Sequence, residues 1–204
     1  MDFNKEAVNW DTEDRARRAA LIAGEIRKAL PEGKYTTAME FGCGTGLVGF
    51  HLRDRFEDML LIDNSPGMIE ELNRKIQAQS KENMHGICHD ILLDGPLGQK
   101  ADVIFTSMAL HHVVQLDETL SRIGALLQTG GMLCIVDLIE DGGRFHQHEK
   151  NFDGHHGFDP EALGRKLQGM GFSEVEDYVF LKGTKNDGAE QMEYELFLLT
   201  GVKG

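Results

Sequence analysis

Proline, tryptophan and basic residues are scarce in this 204-residue chain: four prolines, one tryptophan, and 21 Lys and Arg against 34 Asp and Glu, for a formal net charge of −13. The shortage of cations argues against nonspecific binding to nucleic acid or to an acidic membrane surface, because neutralising phosphates requires clustered Lys and Arg. Cysteine is sparse as well. Cys43, Cys88 and Cys134 are widely spaced and form no C-x-x-C pair. A disulfide framework is therefore not expected, and reduced thiols in a cytoplasmic protein are. No apolar run approaches the ~20 residues of a membrane span. Residues 1–6 lack the basic-then-apolar pattern of a signal peptide. With 41% hydrophobic and 27% charged residues and no low-complexity tract, the composition is that of a globular chain. The length suits a single domain that closes its own core.

What is present is an alternation of helical and strand patterns. Residues 13–30 place Ala19, Ile22, Ala23, Ile26 and Leu30 on one helical face, with Arg15 and Arg18 elsewhere, until Pro31 and Gly33 stop the helix. Residues 36–41 read as a strand and 47–56 as a helix. Met59-Leu60-Leu61-Ile62 is apolar throughout, as a parallel strand covered on both faces requires. Ser65 and Pro66 then form an N-cap and first-turn proline for a helix that turns Ile69, Leu72 and Ile76 inward. Strands are expected at 85–90, 103–105 and 132–136. Between the last two, a helix carries Leu116, Leu120, Ile123 and Leu127 on one face. Asp159 and Pro160 open a helix that reaches Met170. Strands at 175–181 and 192–200, joined by a polar turn at 182–188, look like a closing antiparallel pair. The rhythm implies an α/β fold with a largely parallel sheet and helices on both faces.

The first strand-to-helix turn reads Glu40-Phe41-Gly42-Cys43-Gly44-Thr45-Gly46. Glycines at alternate positions let the backbone bend sharply and let a ligand approach the main chain. In open parallel sheets this is where ligands bind; a glycine-rich connection without a ligand is the alternative. The dinucleotide pattern G-x-G-x-x-G would need glycine where Leu47 stands, and no Gly-Lys-Ser/Thr follows as in a P-loop. Asp63 comes 17 residues after Gly46, at the end of the second strand. There it can accept hydrogen bonds from both hydroxyls of a ribose, or simply cap a helix. Asp90, in Cys88-His89-Asp90-Ile91, is placed to receive an exocyclic amino group while Ile91 covers an adenine face.

These segments, with Ser65-Pro66-Gly67-Met68, Ser107-Met108-Ala109-Leu110-His111-His112 and Gly130-Gly131-Met132-Leu133, resemble the class I S-adenosylmethionine-dependent methyltransferases over residues 10–200. The resemblance implies a seven-stranded, mostly parallel Rossmann-like sheet with helices on both faces and an antiparallel last strand. It implies S-adenosyl-L-methionine as cofactor and S-adenosyl-L-homocysteine as product. Position by position, Gly42, Gly44 and Gly46 would border the methionine and ribose portions, with Cys43 a small filler in the turn. Glu40 would orient the amino group and Asp63 would hold the ribose. Asn64 or Met68 would flank the adenine, which Asp90 and Ile91 would contact, and Ser107 with Met108 would close the site near strand four. Trp10 stands in a stretch similar to the family's N-terminal lid, with packing against the domain edge as the alternative. The expected organisation is one methyltransferase domain over 1–204: a lid segment and helix at 1–33, a cofactor-binding half at 34–139, and a substrate-side loop, helix and strand pair at 140–204.

Methyl transfer from a sulfonium is an in-line displacement, so the protein mainly aligns the nucleophile and excludes water. No metal is required, and none is assigned. Histidines are the candidate bases: His111 and His112 after strand four, and His155 and His156 in the segment 143–158. That segment also holds His146 and His148, so four of the nine histidines fall within eleven residues. Long loops at the ligand end of a sheet are often functional. Three readings stay open for this loop: substrate-pocket lining, a solvated surface, or a metal site of His146 and His148 with His155 or His156. The expected function is methyl transfer to a small-molecule acceptor, without nucleic-acid or membrane partners. The Asn-Pro-Pro-Tyr signature of nucleic-acid amino-methylating enzymes is replaced by Thr106-Ser107-Met108-Ala109. One alternative is a nicotinamide-dependent oxidoreductase, which the glycine spacing and the lack of a Tyr-x-x-x-Lys pair disfavour. Another is a non-catalytic cofactor-binding or metal-sensing protein that uses the His-rich loop.

Overall fold

Successive residues of the central strands point to opposite layers, and both layers are apolar. Ala38, Leu61, Val103, Phe105 and Cys134 face one core, while Met39, Leu60, Ile104, Leu133 and Ile135 face the other. The computed structural model describes residues 2–33, 35–149, 152–187 and 190–204. Seven strands form one sheet: β1 (Thr37–Phe41), β2 (Asp58–Asp63), β3 (Met84–Cys88), β4 (Ala101–Ser107), β5 (Leu127–Leu138), β6 (Phe172–Asp187) and β7 (Glu190–Lys203). Their spatial order is β3-β2-β1-β4-β5-β7-β6. The first five strands pair in parallel, and β7 lies antiparallel to both β5 and β6. The sheet is thus the Rossmann-like one expected, with the antiparallel pair at its end.

The helices are α1 (Phe3–Glu6), α2 (Glu13–Ala29), α3 (Leu47–Leu52), α4 (Pro66–Ala78), α5 (Leu116–Leu126) and α6 (Pro160–Gly169). Three start where side-chain oxygens satisfy orphan N–H groups. Thr12 Oγ1 accepts from Arg15 N, Ser65 Oγ from Met68 N, and Asp159 Oδ1 from Glu161 N and Ala162 N. Pro66 and Pro160 occupy the first helical position, where a missing N–H costs nothing. Among the described residues no helix is long and apolar enough to cross a membrane.

Several strands start or end a few residues from the sequence expectation, and three of the differences have a clear local reason. The helix expected over 47–56 stops at Leu52 and tightens into a 3-10 turn, Arg53–Arg55. Asn83 Nδ2 donates to both Arg53 O and Phe56 O, which holds the chain out of the helix. Leu127 belongs to β5 rather than to the helical face: it pairs with Ala101 before a register shift that resumes at Val103 and Met132. The polar stretch 182–188 is not a turn, because β6 continues to Asp187 and pairs with β7 from Glu190 onward; Gly188 lies outside the described residues. Its polar composition reflects a two-stranded ribbon that projects beyond β5, whose pairing with β7 covers only Leu196 to Val202.

The strand order reverses between β1 and β4: the chain fills β2 and β3 on one side of β1, then returns on the other. Loops leaving the carboxyl ends of β1 and β4 therefore diverge and leave a crevice.

Candidate active site at the switch point

A cavity of about 420 Å³ occupies that crevice. Its floor is the turn after β1. Glu40 is 1% exposed, and its Oε2 has no hydrogen-bond partner. Gly49 on α3 makes this possible, since a Cβ there would lie 2.5 Å from Glu40 Oε2. Burial pushes the Glu40 carboxyl up to about 8; the Gly49 backbone N–H and Lys75 oppose the rise, and the Asp63 charge adds to it. Next to it, Asp63 braces the glycine turn: Gly44 N donates to its Oδ2 at 2.8 Å and Ser65 N to its Oδ1 at 2.9 Å. Burial raises the Asp63 carboxyl above its usual range, and these two N–H groups hold it back. Each oxygen keeps a lone pair for a further donor.

Gly42, Cys43, Gly44, Asn64, Met68, Asp90, Ile91, Ser107 and Met108 all line the same cavity. Asn64 Nδ2 lies 3.4 Å from Asp90 Oδ2, and Asp90 Oδ1 accepts from Leu92 N and Leu93 N, which fixes the bend that presents Ile91. Met108 has φ +53°, a left-handed conformation that costs a β-unbranched residue about 1–2 kcal/mol. The Met108 N–H donates to Val136 O at 2.9 Å and holds that strained turn at the end of β4. Gly46 is the exception among the expected cofactor positions. It is buried away from the cavity at the start of α3, with φ +80°, and a Cβ there would lie 2.6 Å from Leu72 Cδ1. Its glycine serves the turn and the packing against α4.

The N-terminal segment closes one side. Phe3 and Trp10 line the cavity, and Asn4 Oδ1 accepts from Ser65 Oγ and Gly67 N, tying the segment to the start of α4. Thr45 Oγ1 donates to Asp11 Oδ1, and Asp11 Oδ2 pairs with Lys75 Nζ at 2.6 Å.

The histidines divide. His112 lines the cavity; His111 lies directly behind it, 1% exposed. His111 Nδ1 sits 2.5 Å from Asp137 Oδ1, and the same carboxylate accepts from His111 N and Leu138 N. His146 packs against both rings. Burial, and then the neighbouring His111 and His146, pull His112 down to about 2; burial and His111 pull His146 down to about 4. An imidazole held so far below neutrality is a weak base. His155 and His156, expected on the substrate side, do not line the cavity. His155 N donates to His111 O, so this residue binds the loop to the turn after β4 through its backbone. His156 is exposed, with its ring against Gly143. His148 is exposed too.

Sequence reasoning missed three contributors. Arg15 and Arg18 are partly buried on the cavity side of α2 rather than on its outer face. The Arg15 guanidinium lies 3.9 Å over the Trp10 ring and donates to Trp10 O. Asp137 was also passed over, although an acid inside the apolar run Leu133 to Leu138 is a sequence signal, since buried carboxylates need partners.

Comparison with known proteins agrees with this geometry. A family model described as "Methyltransferase domain" matches residues 39–133. An uncharacterized methyltransferase of Schizosaccharomyces pombe is 28% identical over 171 residues, which is 77% of this chain and 60% of that protein. The malonyl-[acyl-carrier protein] O-methyltransferase of Acetivibrio thermocellus is 26% identical over 136 residues, 66% of this chain and 47% of that one. This chain thus spans roughly half the length of these curated relatives. In fold it is similar to the N-methyltransferase NodS of Bradyrhizobium japonicum in complex with S-adenosyl-L-homocysteine, with a TM-score of 0.71 at 17% identity, covering 100% of this chain and 99% of that one. Over residues 39–133 in sequence, and across the whole sheet in fold, the chain is similar to S-adenosylmethionine-dependent methyltransferases.

Proposed function

We propose that this protein transfers a methyl group from S-adenosylmethionine to a small-molecule acceptor. The observation that carries this reading is the pairing of an unpartnered, buried Glu40 oxygen with the Asp63-braced glycine turn on one cavity floor. A buried carboxyl oxygen without a partner is costly, and a ligand that brings an ammonium or hydroxyl to it is strongly favoured. Glu40 would hold the amino group and Asp63 the ribose hydroxyls. Asn64, Met68, Asp90 and Ile91 would enclose the adenine. When bound, the cofactor supplies an activated methyl group on a sulfonium.

The chain's own contribution is alignment and exclusion of water. Phe3 and Trp10 cover the cavity, Ser107 and Met108 shape the wall after β4, and His112 borders the space where an acceptor would enter. Arg15 and Arg18 bring two cations to this otherwise acidic chain at the cavity wall, which favours an acceptor bearing an acidic group. A relative's name, the malonyl-[acyl-carrier protein] O-methyltransferase, points the same way.

Titration calorimetry with S-adenosyl-L-homocysteine tests the cofactor half of the reading, and label transfer from methyl-tritiated S-adenosylmethionine to a panel of carboxylic acids tests the acceptor half. Heat of binding at one site per chain is expected. Binding of reduced nicotinamide nucleotide without any response to S-adenosylhomocysteine would overturn the assignment.

A further inference from the structure

The cluster of His111, His112 and His146 has a use that methyl transfer does not require. One ring nitrogen from each lies within 4.8 Å of the other two. Ring centroids are 4.1 Å apart for His111 and His112, 5.0 Å for His111 and His146, and 5.4 Å for His112 and His146. Three imidazoles do not converge in a buried place without a reason, because each brings a polar nitrogen that must be satisfied there. His146 Nδ1 is buried with no partner.

We propose that these three histidines form a binding site for a divalent transition-metal ion, zinc foremost, at the wall of the methyl-transfer cavity. Several features fit that use. Asp137 takes His111 Nδ1–H at 2.5 Å, fixing the ring and leaving Nε2 as the lone pair, which is the carboxylate–histidine arrangement that orients metal ligands. The Asp137 carboxylate is itself anchored by two backbone N–H groups, from His111 and Leu138. Phe152 stacks on His146 at 4.0 Å and Phe3 meets His112 edge-on at 5.1 Å, so two of the rings are held by apolar neighbours. Imidazole donors with no thiolate and no ligating carboxylate suit zinc and its neighbours rather than magnesium or calcium.

Tetrahedral zinc at ~2.0–2.1 Å from each nitrogen needs them roughly 3.3 Å apart, so the ion would draw the rings inward by side-chain rotation. Three protein ligands leave a fourth position for water or for an oxygen of the acceptor. Because His112 also lines the cavity, that position can communicate with bound acceptor.

The site differs from the one read from the loop alone. His146 contributes, but its partners come from the turn after β4, and the exposed His148 and His156 take no part.

Chelator-treated protein should be titrated with zinc against a chromophoric competitor, with cobalt(II) as a spectroscopic substitute. One equivalent is expected, with a strong visible cobalt band of a four-coordinate site. His146→Gln should weaken uptake at least ~100-fold, while His148→Gln should leave it unchanged. No stoichiometric uptake, or uptake that His146→Gln leaves intact, overturns the proposal. If His146→Gln loses its circular-dichroism signal, the cobalt spectrum of the unaltered protein decides: a weak, six-coordinate spectrum overturns the site. S-Adenosylhomocysteine is absent from these titrations, so their outcome is independent of the methyl-transfer reading.

Discussion

Two corners of one cavity handle buried polarity in opposite ways. At the end of β1, Glu40 and Asp63 set acids against backbone N–H groups and leave one carboxylate oxygen unmet. After β4, imidazoles crowd together, and Asp137 among them accepts from His111 and two backbone donors. The first corner is open to a cationic or hydroxyl-bearing ligand. The second has its Asp137 satisfied and leaves a ring nitrogen, His146 Nδ1, without a partner. Burial raises the basicity of Glu40 and Asp63 and lowers that of His112 and His146, because desolvation favours the uncharged form.

The sharpest test of this contrast is Asp137→Ala, which leaves the His111 ring and the Leu138 N–H unpartnered inside the protein. A loss of about 3–5 kcal/mol in urea denaturation is expected, with Asp137→Asn recovering part of it. A loss below ~1 kcal/mol would show that the imidazole corner does not depend on its acid. Asp63→Ala acts differently. It should weaken S-adenosylhomocysteine binding by about 1–3 kcal/mol, read by calorimetry, through the lost hydrogen bonds to the ligand and the slackened Gly44 turn. Unchanged affinity in a folded variant removes Asp63 from the site.

Glu40 gives a pH signature. Its folded-state value of about 8 lies above the ordinary 4.5, so the native state holds the proton more tightly than the unfolded chain. The ligand-free protein therefore has its full stability from this group below pH ~4.5 and loses it as the pH rises toward 8. Glu40→Gln removes the penalty, so its melting temperature should overtake that of the unaltered protein progressively between pH 5 and 8. A parallel pair of pH curves would contradict the burial argument. The smallest effect is expected for His156→Gln, which should change neither S-adenosylhomocysteine affinity nor stability beyond about 0.5 kcal/mol.

The two corners were unequally legible in the sequence. The acidic corner is built from short contiguous motifs at strand ends, where a glycine turn and a following strand dictate the geometry within a few residues. Glu40, Asp63, Asp90 and Ile91 could be placed that way, and so could a mostly parallel sheet with an antiparallel end, although not the order of its strands. The imidazole corner joins His111 to Asp137 and His146 across long stretches of chain, and nothing local in His146-Gln147-His148 says which histidine turns inward. Packing decides it: Phe145 and His146 are buried while Gln147 and His148 are not. The helical periodicity of α2 likewise hid Arg15 and Arg18. Their position beside the apolar stripe becomes part of a cavity wall, with Arg15 lying over Trp10 of the N-terminal segment.

The ribbon that β6 and β7 extend past the sheet has a mechanical consequence. Lys185 Nζ donates to Phe145 O at 2.9 Å and sits 4.4 Å over its ring, while Tyr194 meets that ring edge-on at 5.3 Å. Phe145 precedes His146, so the ribbon grips the loop at the residue that delivers the third imidazole. Hinging of the loop then cannot be a local event on its own. It has to peel the strand pair with it, and amide exchange at Phe145 and at Met192 to Glu195 should slow and quicken together as one unit.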